Sequence, residues 1–142
     1  MVIDILTLFP EMYDGFLNSS IIKRAREDNK VTINVHNIRT YSPFKNKQVD
    51  DYPYGGGADM VLMCEPIFNA IEALRKEDSY VIMLTPSGEV FNQNKARELT
   101  NCKHLILLCG HYEGFDERIK SIIDLELSVG DFILTGGEIP SM

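Results

Sequence analysis

Two stretches, SYVIMLTP at residues 79–86 and HLILLCG at residues 104–110, carry unbroken apolar runs, YVIML and LILLC. Successive side chains of a strand point to opposite faces, so a strand with no polar alternation must be covered on both sides. Segments of helical character lie between and around the two runs. EPIFNAIEALRK (65–76) is amphipathic with Pro66 in its first turn, FNQNKARELTN (91–101) follows, and FDERIKSIID (115–124) opens with Asp116 and Glu117 at its positive end. Upstream, VIDILTLF (2–9) reads as a strand stopped by Pro10, SSIIKRAREDN (19–29) as a helix with serine caps, and VTINVHNI (31–38) as an alternating, β-branched strand. MVLM (60–63) reads as a further short strand. Strands apolar on both faces and alternating with helices predict an α/β fold, a parallel sheet with helices on both faces.

At 142 residues the chain is sized for one domain and one sizeable core. A composition of 44% apolar and 25% charged residues is that of a globular protein rather than a disordered tail. No apolar run approaches the roughly 20 residues of a membrane span. The opening MVIDILTLFPEMYDGF lacks the basic and apolar regions of a secretion signal. The expected location is the cytoplasm, with no membrane partner.

The net charge of −7 argues against a chain that binds nucleic acid over its whole surface. Residues 1–50 carry 7 basic and 6 acidic side chains, a balance of +1, and residues 51–142 carry 7 and 15, a balance of −8. The basic residues Lys23, Arg24, Arg26 and Lys30, then Arg39, Lys45 and Lys47, form either a solvated face or a binding patch. Three cysteines make no disulfide framework. Cys102, His104, Cys109 and His111 resemble a zinc pattern, but a strand between them holds Cys102 and Cys109 about 20 Å apart, far beyond a common metal ion.

Residues 39–59, which include YSPFKNKQVDDYPYGGGAD, are too long for an ordinary connection and are either functional or disordered. At the other end, LELSVGDFILTGGEIPSM supplies a strand, a Gly-Gly turn and the first turn of a helix, and then the chain stops, as a cut domain would. Three strand ends carry special residues: Thr85-Pro86-Ser87-Gly88, Gly110-His111-Tyr112-Glu113-Gly114, and Ser128-Val129-Gly130 running on to Thr135-Gly136-Gly137. Open parallel sheets bind ligands beyond the carboxyl ends of their strands, and glycines there permit close backbone approach. Turn punctuation is the plainer alternative. The glycine spacing fits neither a dinucleotide fingerprint nor a P-loop, and no Ser-His-Asp arrangement stands out. Tyr112 reads as an aromatic lid or a packing residue, and Glu113 as a carboxylate able to position a cation or a base edge.

Four ordered blocks, DDYPYGGGADMV, TPSGEVFNQ, LLCGHYEGFDERI and SVGDFILTGGEIPSM, resemble the signature blocks of the bacterial tRNA (guanine-37-N1)-methyltransferases. The resemblance runs from Phe9-Pro10-Glu11 to the last residue. It implies a SPOUT-type α/β domain with a C-terminal trefoil knot, left shallow or incomplete by an early chain end, working as a homodimer on tRNA. The implied reaction moves a methyl group from S-adenosylmethionine to N1 of guanine 37, with Mg2+ in the full-length enzyme. The alternatives are a non-catalytic S-adenosylmethionine-binding module and an unrelated doubly wound nucleotide-binding domain.

Carried across residue by residue, the resemblance assigns the cofactor to three segments. Leu84, Thr85 and Pro86 form one wall. Gly110, Tyr112, Glu113 and Gly114 form the second. Ser128, Val129, Gly130, Phe132, Leu134, Gly136 and Gly137 close the floor. Glu113 is the expected catalytic contact to the base or metal, and Asp50 and Gly57 belong to the substrate side across the dimer. No metal ligands are assigned. Tyr52 stands where the family usually has arginine, and Asp59 where glycine is usual. The general-base aspartate, a catalytic arginine, a linker and a C-terminal tRNA-binding domain are expected beyond Met142, so that residues 1–142 form the truncated cofactor-binding domain, with little activity alone.

Overall fold

The structure, a computed structural model, describes residues 1–111 and 114–142. β1 (Val2–Thr7) leads through a 3-10 turn at Pro10–Tyr13 and α1 (Asp14–Leu17) into α2 (Ser20–Glu27) and β2 (Thr32–Asn37). A two-stranded antiparallel ribbon, β3 (Asp50–Asp51) with β4 (Val61–Leu62), precedes α3 (Cys64–Leu74). β5 (Ser79–Val90), α4 (Gln93–Leu99), β6 (His104–Cys109), a 3-10 helix at Glu117–Ile122, β7 (Leu125–Ser128) and α5 (Glu138–Ser141) complete the chain.

The main sheet has the order β2-β1-β6-β5-β7, and every pairing in it is parallel. Alternate residues of the apolar strands go to opposite faces, as expected. Val81, Met83, Ile106 and Leu108 pack with Leu6, Ile67 and Ile71 on the α3 side. Ile82, Leu84, Leu105 and Leu127 pack together in a separate core. A sheet of five parallel strands, its central strands covered on both faces and its edge strand β2 only half-buried, bears out the α/β expectation.

Three local expectations are corrected. The segment Thr85-Pro86-Ser87-Gly88 does not end its strand. Leu84 and Glu89 both stand opposite Leu127, so the four residues between them loop out and the pairing then resumes through Val90 opposite Ser128. Gly88 makes this return possible: a Cβ there would lie 2.5 Å from the Leu127 nitrogen, in backbone that cannot move aside.

The expected helix at 115–124 is a 3-10 helix over Glu117–Ile122. Asp116 caps it by accepting from the Arg118 amide at 3.0 Å, and its carboxylate holds the Arg118 guanidinium. Ile119 and Ile122, three apart, meet the same core, a spacing that suits three residues per turn. In α2, Ser19 occupies the N-cap position but makes no capping hydrogen bond among the described residues. The long stretch 39–59 is partly packed: Val49 is fully buried, and Met63 N donates to Val49 O at 2.8 Å.

Candidate functional site

The loop-out of β5 and the carboxyl ends of β6 and β7 open onto one cavity of about 660 Å3. That volume is ordinary for a small-molecule site. Leu84, Thr85 and Pro86 line it from the loop-out of β5, and Gly110 and Gly114 from the segment after β6. Ser128, Val129, Gly130, Phe132, Leu134, Gly136 and Gly137 line it from the segment after β7. The structure therefore brings together twelve of the residues assigned to the cofactor. Tyr112 and Glu113, the other two, lie outside the described residues.

The cofactor assignment left out His111, Phe115, Leu127, Ile133, Thr135 and Pro140, which also line the cavity. His111 was legible as a neighbour of the glycines. Phe115 was masked by its assignment to a helix.

Hydrogen bonding joins the second wall to the floor. Gly137 N donates to Gly110 O at 2.8 Å, and His111 and Gly136 form an antiparallel bridge. The contact is possible because residue 137 lacks a side chain: a Cβ would sit 2.8 Å from Cys109 Cα and 2.9 Å from Gly110 N. Ser128 is committed internally, donating from Oγ to Gly130 O at 3.0 Å while accepting from Gly130 N at 3.2 Å. Its hydroxyl turns the chain out of β7 into the floor.

A directional chain of bonds fastens α5 beneath the floor. Ser141 donates its one hydroxyl proton to Glu138 O at 2.6 Å, so Tyr13 must be the donor to Ser141, also at 2.6 Å. The Tyr13 proton being used, the 3.3 Å contact with Cys109 is S–H donating to the phenol oxygen. Burial pushes the Tyr13 hydroxyl up in pKa and the Cys109 thiol up to about 11, so both stay protonated donors.

Asp50 and Gly57, expected on the substrate side, do not line the cavity. Asp50 is half-buried in the ribbon opposite Leu62, and Gly57 is exposed in the turn between β3 and β4. The ribbon nonetheless touches the second wall: Leu62 N donates to Gly114 O at 3.2 Å, and Asp116 N to Leu62 O at 3.1 Å. Tyr52 and Asp59 are exposed on the same turn.

At the opposite end of the sheet lies a polar row that sequence reading did not anticipate. Ser79 Oγ is 2.5 Å from His104 Nδ1, His104 Nε2 is 2.6 Å from Asp4 Oδ2, and Asp4 Oδ1 is 2.7 Å from His36 Nε2. Burial alone would raise the Asp4 pKa, but bonds from His36, His104 and Asn34 outweigh it and hold the carboxyl below its usual value. Lys76 N donates to Ser79 Oγ at 2.7 Å. The row lies across four strands, away from the 660 Å3 cavity, and reads as a buried polar tie rather than a nucleophile.

The profile of the family described as tRNA (Guanine-1)-methyltransferase TrmD matches residues 1–142. The chain belongs to this family. Among curated members, the tRNA (guanine-N(1)-)-methyltransferase of Dictyoglomus turgidum is 57% identical over 99% of this chain and 57% of its own length. That of Carboxydothermus hydrogenoformans is 58% identical over 100% of this chain and 56% of its own. The chain thus spans a little over half the length of these relatives. The crystal structure of tRNA (m1G37) methyltransferase from Aquifex aeolicus superposes with a TM-score of 0.89 at 40% identity, covering 99% of this chain and 65% of the other. The parallel α/β architecture is therefore that of the TrmD family.

Proposed function

We propose that this chain is the S-adenosylmethionine-binding domain of a tRNA methyltransferase that modifies N1 of guanine 37. The supporting observation is the cavity formed between the loop-out of β5 and the glycine-bearing segments that follow β6 and β7. Its apolar, peptide-edged lining suits a nucleoside. Leu84, Pro86, Leu134 and Phe115 offer apolar surface to a purine, and the peptides around Gly110, Gly136 and Gly137 offer donors and acceptors to its edge.

S-adenosylmethionine, when bound, supplies the methyl group. The chain's own residues orient it and keep water from it. Guanine N1 carries a proton at neutral pH, so transfer also needs a base. The family pattern places that base, an aspartate, after Met142, and gives Glu113 the contact to the target base. Asp50 and Gly57 are assigned to the substrate side, and the ribbon's bonds to Gly114 support that neighbourhood. Among the described residues no three His, Cys, Asp or Glu side chains gather to hold a metal, and no step is derived through Mg2+.

The homodimer reading draws support from apolar side chains at the cavity rim, where Ile133 is 94% exposed beside exposed Phe132 and Val129. A C-terminal trefoil knot of the SPOUT type, with the three cavity segments as its loops, is the topology we assign. Among the described residues no helix is long and apolar enough to cross a membrane, and the cytoplasm is the location we assign. The test is transfer of labelled methyl by the full-length protein to a tRNA transcript bearing guanine at position 37, with adenine at that position as the control. Label on the guanine transcript alone is expected, and equal label on both would contradict the reading.

A further inference from the structure

Glu138 is a carboxylate with only 3% of its surface exposed, at the point where the cavity floor enters α5. Its Oε1 accepts from Thr7 Oγ1 at 2.8 Å, across 131 residues of sequence. Thr7 is fully buried at the carboxyl end of β1. Phe9 N donates to the same hydroxyl at 3.0 Å, which leaves the Thr7 proton to be directed at Glu138.

The other face of the carboxylate touches the cavity lining. A Cβ placed on Gly136 would run into Glu138 Oε2, and would lie 3.0 Å from both Gly110 O and His111 Cδ2. Glu138 therefore stands directly behind the Gly136 peptide, which lines the cavity while Glu138 itself does not. On its far side α5 is held by the Tyr13–Ser141 bond alone among the described side-chain bonds from α5 to the N-terminal segment besides Thr7–Glu138.

We infer that Thr7 and Glu138 are a positioning pair for cofactor binding, fixing the Gly136-Gly137 peptides against Gly110 without touching the ligand. The inference rests on the cofactor reading above. Loss of the Thr7 hydroxyl strands a buried carboxylate oxygen without its donor and lets the floor relax. The floor then meets the ligand with its amides misaimed, and affinity falls although no contact residue has changed.

The experiment is calorimetric titration of the 142-residue chain with S-adenosylhomocysteine, for the wild type, Thr7→Val and Thr7→Ser. Thr7→Val keeps the shape and removes the hydroxyl, and should weaken binding about tenfold. Thr7→Ser restores the hydroxyl and should return affinity to within about threefold of the wild type, a rescue that a purely space-filling role would not give. Wild-type binding with an unchanged Thr7→Val affinity overturns this inference alone. Failure of the wild type to bind overturns the cofactor reading and this inference with it. Should Thr7→Val not fold, NMR of the wild type decides: the Thr7 methyl and the Gly137 amide should both shift on ligand saturation, and a Thr7 methyl that stays in place overturns the pair's role.

Discussion

The amide of Gly137 donates to the carbonyl of Gly110 across 2.8 Å, and that bond joins the floor of the cavity to its second wall. Neither residue brings a side chain to the contact, so its strength depends on how closely two backbones approach. A methyl on residue 137 would press on Cys109 and Gly110 backbone atoms at 2.8 and 2.9 Å. Gly137→Ala should cost about 1–3 kcal/mol of stability by forcing the segments apart. It should also weaken S-adenosylhomocysteine binding by at least about tenfold, since 1.4 kcal/mol of distortion at the floor is a factor of ten. Urea unfolding and calorimetry read the two effects, and a Gly137→Ala chain with wild-type values for both would remove this bond from the account.

The pKa of Asp4 lies below its ordinary value in the folded chain, because three hydrogen bonds outweigh the cost of its burial. A depressed carboxyl stabilises the fold above its unfolded pKa, near 4, and that contribution disappears as pH falls through the folded value. Asp4→Asn should therefore lower stability at neutral pH by about 1–3 kcal/mol, because an amide cannot accept from all three donors. It should also flatten the loss of stability below about pH 4. Urea unfolding between pH 7 and pH 3 measures both, and parallel curves for the two proteins would refute the assignment.

The three thiols should react in a definite order. Burial pushes both Cys64 and Cys109 up to about 11, with Glu65 adding to the effect at Cys64. Cys102 is half-buried in the turn after α4. At neutral pH iodoacetamide should modify Cys102 first, with Cys64 and Cys109 following only as the chain unfolds. Mass spectrometry of a time course gives the order, and early modification of Cys109 would show that its bond to Tyr13 opens in the folded state.

Glu113 carries the catalytic assignment through its motif rather than through geometry. In the full-length protein Glu113→Gln should leave S-adenosylhomocysteine affinity within about twofold and lower turnover by about 10²-fold or more, the scale of losing a placed charge at a reacting centre. Turnover at saturating cofactor, with affinity measured separately, checks this. A fall in affinity with turnover unchanged would remove the catalytic assignment and leave Glu113 only its place in the cofactor wall.

The strands were legible because YVIML and LILLC allow no other placement than a two-sided interior. The three glycine-bearing segments were legible because each follows an apolar run, although one of them lies within β5 rather than at its end. The loop-out between Leu84 and Glu89 was not: it depends on Gly88 lying against Glu126 and Leu127, a contact between segments far apart in sequence. The 3-10 helix escaped reading because DERI has ordinary helical chemistry, and only the packing of buried Ile119 and half-buried Ile122 against one core reveals a repeat of three. The row from Ser79 through His104 to Asp4 follows from strand order, which sets β1 beside β6 and β6 beside β5, and no spacing along the chain announces it.

The account turns on one cavity holding one ligand, and a crystal structure of this chain grown with S-adenosylhomocysteine tests that most directly. The expected result is the nucleoside seated between Leu84–Pro86 and the Gly136-Gly137 peptides, with backbone groups around Gly110 and Gly130 in hydrogen-bond contact. A ligand found elsewhere on the chain, with the 660 Å3 cavity empty, would contradict it.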